Sequence, residues 1–93
     1  MDLPQALTIR AEVMARQVGD ETVLLDLASG NYFGLDAVGA RIWHLLVNGK
    51  SPAEVCDVLV GEYDVARESL ERDFARLISE LRAHGLINSG PPP

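Results

Sequence analysis

A single cysteine, Cys56, leaves this chain without the means to close an internal disulfide. No apolar run approaches the roughly 18 residues that a membrane-spanning helix requires, so no membrane association is expected. The two histidines, His44 and His84, stand far apart, and the cysteine falls between them at no ligand-like spacing, which gives no metal site to expect. Glycines are scattered, with neither a Gly-Lys-Ser/Thr loop nor a G-x-G-x-x-G run to cradle a phosphate. Bases are scarce, 8 Lys and Arg against 14 Asp and Glu for a net charge of −6. A duplex-binding face needs clustered bases to release counterions from phosphates, so nucleic acid is not an expected partner. A basic or amphipathic peptide suits the sign better. The acids form no spaced pair in an evident pocket, and Cys56 sits on the apolar side of a helix, where it reads as a small core residue. Nothing here expects catalysis or a cofactor.

What is present suits one domain. The 93 residues are 47% hydrophobic and 24% charged, an ordinary globular balance. Residues 1–6, with Asp2 and Pro4, read as a flexible start without a secretion signal, and a cytoplasmic location is expected. Residues 7–87 carry the pattern of a fold, and residues 88–93, ending in three prolines, read as a disordered tail.

The folded part splits into a β half and an α half. Leu7, Ile9, Ala11, Val13 and Ala15 alternate, predicting a first strand within 7–18. Gly19-Asp20 marks a turn, and Thr22–Leu27 predicts a second strand whose Val23, Leu25 and Leu27 share one face, with Leu24 on the other. Ala28-Ser-Gly-Asn31 is the next turn, and Tyr32–Leu35 a short third strand. Three strands this close in sequence read as an antiparallel meander.

Asp36 then caps a helix whose Val38, Ile42, Leu45 and Leu46 share a face, closed by Asn48-Gly49. Ser51-Pro-Ala-Glu54 opens a second helix with a capping box and a proline in the first turn, and Val55, Cys56 and Leu59 form its inner side. A third helix over Arg67–His84 turns Leu70, Phe74, Leu77, Ile78 and Leu81 inward and stops at Gly85, though Ala66 stands where a capping side chain is expected. Leu86-Ile87 read as an apolar return to the core. The expected class is α+β, winged-helix-like, with a three-stranded antiparallel sheet followed by three helices.

The short third strand poses the functional question. Tyr32 and Phe33 are adjacent, so they must point to opposite faces, and only one can enter the core. Gly34 weakens the strand and often marks a place where another backbone comes close. As the last strand of a meander it is an edge. The residues leave two readings open: an edge protected by its shortness, or one kept free for an added strand. Asp73, Leu77, Glu80 and His84 form a stripe along the third helix, which beside an open edge would make a groove with an apolar floor and an acidic rim.

The ordered series Leu25-Asp26, Gly30-Asn-Tyr-Phe-Gly-Leu-Asp36, Gly39-Ala-Arg-Ile-Trp43, Ser51-Pro-Ala-Glu-Val55, Tyr63-Asp-Val65 and Asp73-Phe, Leu77, Leu81, Gly85-Leu-Ile87 resembles the PqqD family. Its members are small peptide chaperones, also called RiPP recognition elements, that serve ribosomally made and later modified peptides. The resemblance implies no catalysis. It implies binding of a precursor's leader as a further strand on the third strand, packed against the third helix. The contacts it implies are Asn31, Tyr32, Phe33, Gly34 and Leu35 on the strand and Leu70, Asp73, Phe74 and Leu77 on the helix.

The Tyr-Phe-Gly-Leu-Asp and Gly-Ala-Arg-Ile-Trp forms are similar to those of stand-alone members from lasso peptide clusters. There the implied partners are a leader peptidase and a macrolactam synthetase. In the alternative pyrroloquinoline quinone pathway the partner is a radical-SAM enzyme. A monomer or weak dimer is expected. Two other classes stand beside this one: a winged-helix DNA-binding regulator, and a module that pairs with itself through its open edge.

Overall fold

The computed structural model describes residues 7–89; residues 1–6 and 90–93, where flexible ends are expected, lie outside them. The elements run β1 (Leu7–Ile9), β2 (Val13–Val18), β3 (Glu21–Asp26), β4 (Tyr32–Leu35), α1 (Ala37–Val47), α2 (Pro52–Glu62), α3 (Arg67–Ala83) and β5 (Ile87–Ser89). Strands β2, β3 and β4 form the expected antiparallel meander, in that order, and three helices follow it.

The first expected strand is two strands. Its alternation is continuous in sequence, but the chain turns at Arg10–Glu12 and only β2 joins the meander. Strand β1 pairs instead with β5, Leu7 opposite Ser89 and Ile9 opposite Ile87. Asn88 and Ser89, expected in the tail, belong to a strand. The corner is fixed by backbone bonds that no local pattern announces: Arg10 N donates to Leu86 O at 3.3 Å and Leu27 N to Glu12 O at 2.9 Å.

Of the two faces of β3, the one that carries Leu24 is the buried one. Thr22, Leu24 and Asp26 are buried, while Val23 and Leu25 are half-buried and Leu27 is exposed. Two polar residues can face inward because they are hydrogen-bonded. Thr22 Oγ1 donates to Gln17 Oε1 at 3.3 Å. Asp26 accepts from the Ala28 N–H, the Ser29 hydroxyl and the Arg10 guanidinium.

The helix starts follow their local chemistry. Asp36 Oδ1 accepts from Gly39 N at 2.8 Å and caps α1. Ser51 and Glu54 exchange both bonds of a capping box around Pro52 at the start of α2. Helix α3 starts at Arg67 behind Ala66 with no side-chain cap. It is held instead by its inner face, where Leu70, Phe74, Ile78 and Leu81 are buried. These pack with Leu24, Leu35, Ile42, Trp43, Leu45, Val55, Cys56, Leu59, Leu86 and Ile87 in one core. Each large side chain sealed there contributes about 1.5–3 kcal/mol of burial. Arg41 grips Glu62 with two bonds, tying α1 to α2, and Arg67 bridges Asp57 and Glu71, tying α2 to α3.

Candidate functional site

The turn before β4 decides which way that strand faces. Asp26 N donates to Asn31 O at 2.9 Å, and Gly30 N donates back to Asp26 O at 2.8 Å, with Gly30 at a φ of 80° that favours glycine. The register continues with Leu25 opposite Tyr32, Leu24 opposite Phe33, Val23 opposite Gly34 and Thr22 opposite Leu35. Residues directly opposite alternate between hydrogen-bonded and non-bonded pairs in an antiparallel ladder. Since Asp26 and Asn31 are bonded, so are the Phe33 and Leu35 positions, whose N–H and C=O groups point at β3. The N–H and C=O groups of Tyr32 and Gly34 point the other way. Among the described residues no strand pairs with that side of β4.

The same register separates the side chains. Phe33 and Leu35 share the face of the buried Leu24, and Tyr32 shares the outer face with Leu25. Phe33 is half-buried and Tyr32 is 75% exposed. This resolves the Tyr32–Phe33 pair: one ring turns toward the helices and the other toward solvent.

On the inner side, β4 and α3 flank a groove of about 340 Å³ that also reaches the first turns of α1. Its floor is apolar, from Phe33, Leu35, Val38, Ile42 and Leu77, and Asp36, Asp73, Arg76 and Glu80 stand along it. Three carboxylates thus face one guanidinium, and Arg76 lies 3.7 Å from Asp73 with both well exposed. At one end the His84 ring meets Phe33 edge-on, centroids 5.0 Å apart at 70°. The His84 Nδ1 lies 2.8 Å from the Glu80 carbonyl, which can only accept, so Nδ1 carries a proton and the ring is held over Phe33.

The nine residues expected from the sequence do not all meet here. Phe33, Gly34, Leu35, Asp73 and Leu77 line the groove. Tyr32 lies at the edge but on the outer face. Asn31 precedes β4, and its backbone is engaged with the turn, N–H to Ser29 Oγ at 3.2 Å and C=O to Asp26 N. Leu70 and Phe74 are buried in the core and do not line the groove. Their helical phase is one step inside that of Asp73 and Leu77, so they support the floor from beneath.

Sequence reading missed the contribution of α1, where Val38, Gly39 and Ile42 close the groove. It also missed what fixes the edge. Arg10 Nη1 reaches Asp26 Oδ2 at 3.1 Å and Gly85 O at 2.6 Å, joining the β3–β4 turn to the C-terminal end of α3. The two walls of the groove are therefore locked together. The Ser29 hydroxyl, the Ala28 amide and Arg10 outweigh burial and hold the Asp26 carboxyl below its ordinary value. No local pattern could reveal this network, because Arg10, Asp26 and Gly85 are remote in sequence.

The family described as coenzyme PQQ synthesis protein D (PqqD) matches residues 21–87, from β3 through the start of β5. The chain belongs to the PqqD family. A search of curated proteins finds no match. Two solved structures are similar to this PqqD-family chain. One is TbiB1 in complex with the TbiA(beta) leader peptide, 42% identical, with a TM-score of 0.82 over 91% of this chain and 99% of that one. The other is lasso peptide synthetase B1 complexed with the leader peptide, 38% identical, with a TM-score of 0.80 over 88% of this chain and 96% of that one.

The arginines that a duplex-binding recognition helix would need are partly engaged with acids, Arg67 with Asp57 and Glu71, and Arg76 with Asp73. Among the described residues no three His, Cys, Asp or Glu side chains gather where a metal could sit. Cys56 is fully buried, and desolvation pushes its thiol up from 9.0, away from a reactive thiolate.

Proposed function

We propose that this chain is a non-catalytic carrier for the leader of a ribosomally made precursor peptide in lasso peptide or related biosynthesis. The leader adds as a strand to the free side of β4 and lays alternate side chains into the groove against α3. The observation that carries this reading is the pairing of two features on one edge. Tyr32 and Gly34 turn outward backbone groups that no strand pairs among the described residues, and the apolar groove lies directly beneath that edge. Backbone bonds supply a grip tolerant of sequence, and the groove supplies choice. The leader complexes of the two similar structures, TbiB1 and lasso peptide synthetase B1, support the same reading.

On this reading the contacts are the outward backbone of Tyr32 and Gly34, the floor of Phe33, Leu35, Val38, Ile42 and Leu77, and the flank of Asp73. The receiving enzymes are a leader peptidase and a macrolactam synthetase. The test is a polarisation titration of a fluorescent leader from the precursor gene beside this one. Saturable binding at about micromolar or tighter, near −8 kcal/mol, is expected. Leu77→Asp, which places a charge on the floor, is expected to abolish it while the melt stays cooperative. Binding that ignores Leu77→Asp would place the peptide elsewhere.

A further inference from the structure

The sheet has a second free edge, on the side away from the leader groove. Leu27 N donates to Glu12 O, so the bonded pairs of the β2–β3 ladder are Met14 with Leu25, Arg16 with Val23 and Val18 with Glu21. Val13, Ala15 and Gln17 therefore turn their backbone groups away from β3. The Val13 N–H is taken by Arg10 O at 3.1 Å. The Val13 carbonyl and both groups of Ala15 and Gln17 face a side of β2 with which no strand pairs among the described residues. Val13 and Ala15 stand opposite Asp26 and Leu24, so their side chains share the buried face of β3. Beneath this edge lies a second groove, of about 560 Å³, between β1, β2 and α1. Ile9, Val13, Ala15, Trp43, Leu46 and Val47 make it apolar, and Val47 is 57% exposed there. A free strand edge above an apolar groove is an arrangement that receives an added strand.

The two grooves differ in charge. Three carboxylates stand along the one beside β4, whereas no Asp or Glu lines the one beside β2, whose ionisable residues are Arg10 and His44. The two edges meet at one end of the sheet. Val13 starts β2 opposite Asp26, and Asp26 bonds Asn31 just before Tyr32. A peptide added antiparallel to β4 runs from Leu35 toward Tyr32 and leaves at that end. Four strand spacings, about 19 Å, separate its place outside β4 from the place outside β2, and about six extended residues span that distance. Arg10 stands at the crossing. It lines the second groove, and its guanidinium holds Asp26 at the end of β3 and the Gly85 carbonyl behind α3.

We infer that the second groove is a subsite for the same precursor, taking the segment that follows the leader strand. This subsite rests on the strand-addition reading at β4. The peptide crosses the end of the sheet and returns along β2, parallel to it, with backbone bonds to Ala15 and Gln17 and alternate side chains over Trp43 and Val47. The lining calls for apolar side chains with acids rather than bases between them, the reverse of what the leader groove takes. The carrier thus holds the precursor at both edges of one sheet. Once the first segment is bound, the short link keeps the second at a high effective concentration. A second copy of this chain, the other candidate occupant, would pair through β2 without any peptide.

The test uses the full chain and two tryptophan-free synthetic peptides from the precursor gene beside it: the whole leader, and the same leader cut back from its C-terminus to the shortest piece that still binds. The whole leader is expected to bind about tenfold tighter than the short piece, or better. Val47→Asp and, separately, Ala15→Pro, which removes an outward N–H and no bond within the sheet, are expected to bring the whole leader down to the affinity of the short piece. Both should leave the affinity of the short piece unchanged, which shows that the variants are folded. Trp43 is the single tryptophan and lines the second groove but not the leader groove. A nitroxide on the downstream end of the leader is expected to quench its emission, and one on the upstream end to leave it bright. Equal affinity of the two peptides would overturn the subsite while leaving the strand-addition reading in place, as would full affinity of both variants for the whole leader, or an unquenched Trp43. Self-association of the peptide-free chain that Val47→Asp abolishes in sedimentation would assign the edge to a second copy instead. Failure of the unaltered chain to bind either peptide would remove the strand-addition reading, and the subsite with it.

Discussion

Gly34→Pro separates backbone recognition from stability more cleanly than any other single change. The Gly34 N–H points away from β3, so proline removes no bond within the sheet. A Cβ built at Gly34 meets nothing within 4 Å, and its φ lies outside the left-handed region. Phe33 before it is in a strand, the conformation that a following proline favours. The unliganded protein should therefore change stability by less than about 1 kcal/mol. Leader binding should suffer twice. In an added antiparallel strand, the residue opposite Gly34 exchanges both backbone bonds with it, and one of these needs the lost N–H. A net hydrogen bond contributes about 0.5–1.5 kcal/mol, and the proline ring also holds the incoming strand off the remaining carbonyl. Together they should raise Kd by about tenfold at least, since tenfold corresponds to 1.4 kcal/mol. Gly34→Ala keeps the N–H and is the control, with affinity close to that of the unaltered chain. The assay is the leader titration beside a thermal melt. A Gly34→Pro protein that melts normally and binds the leader with unchanged Kd would refute strand addition at β4.

Three further outcomes follow from the surroundings of particular side chains. Ser51→Ala breaks the capping box of α2 and should cost about 1 kcal/mol, read as a lower denaturation midpoint with unaltered leader affinity, because the cap is remote from the groove. Cys56 should resist a thiol reagent in the native protein and react promptly in denaturant, since it is fully buried with its thiol pushed up; fast native labelling would contradict the packing of α2. Asp26→Asn should lower stability at neutral pH. The folded carboxyl titrates below its ordinary 3.8, so its stabilisation is complete above that value and fades as pH falls through the folded pKa. Denaturation midpoints of the two proteins should therefore converge as pH drops below about 3.8, and a constant gap down to the acid limit would contradict the Arg10–Asp26–Ser29 network.

The sequence by itself determined whatever depends on neighbours in the chain. Ser51-Pro-Ala-Glu54 makes its capping box with local atoms, Asp36 caps α1 through the amide of Gly39 three residues on, and the apolar period of α3 selects Leu70, Phe74, Ile78 and Leu81 as its inner face. The pairing of Tyr32 with Phe33 required opposite faces, and the phase of Asp73 and Leu77 required a stripe beside the core.

Tertiary structure decided what depends on distant residues. The alternation through 7–18 could not show the corner at Arg10, because that corner exists to pair β1 with β5 and to bring Arg10 onto Asp26 and Gly85. The inward face of β3 could not be read from hydrophobicity, because two of its buried residues are polar and are satisfied by partners elsewhere. The resemblance set Leu70 and Phe74 among the contacts, and only packing showed that they are buried in the core while Val38 and Ile42 of α1 line the groove. Which face of β4 looks into the groove follows from hydrogen-bond parity set at the Asp26–Asn31 pair, and parity is a property of two strands together.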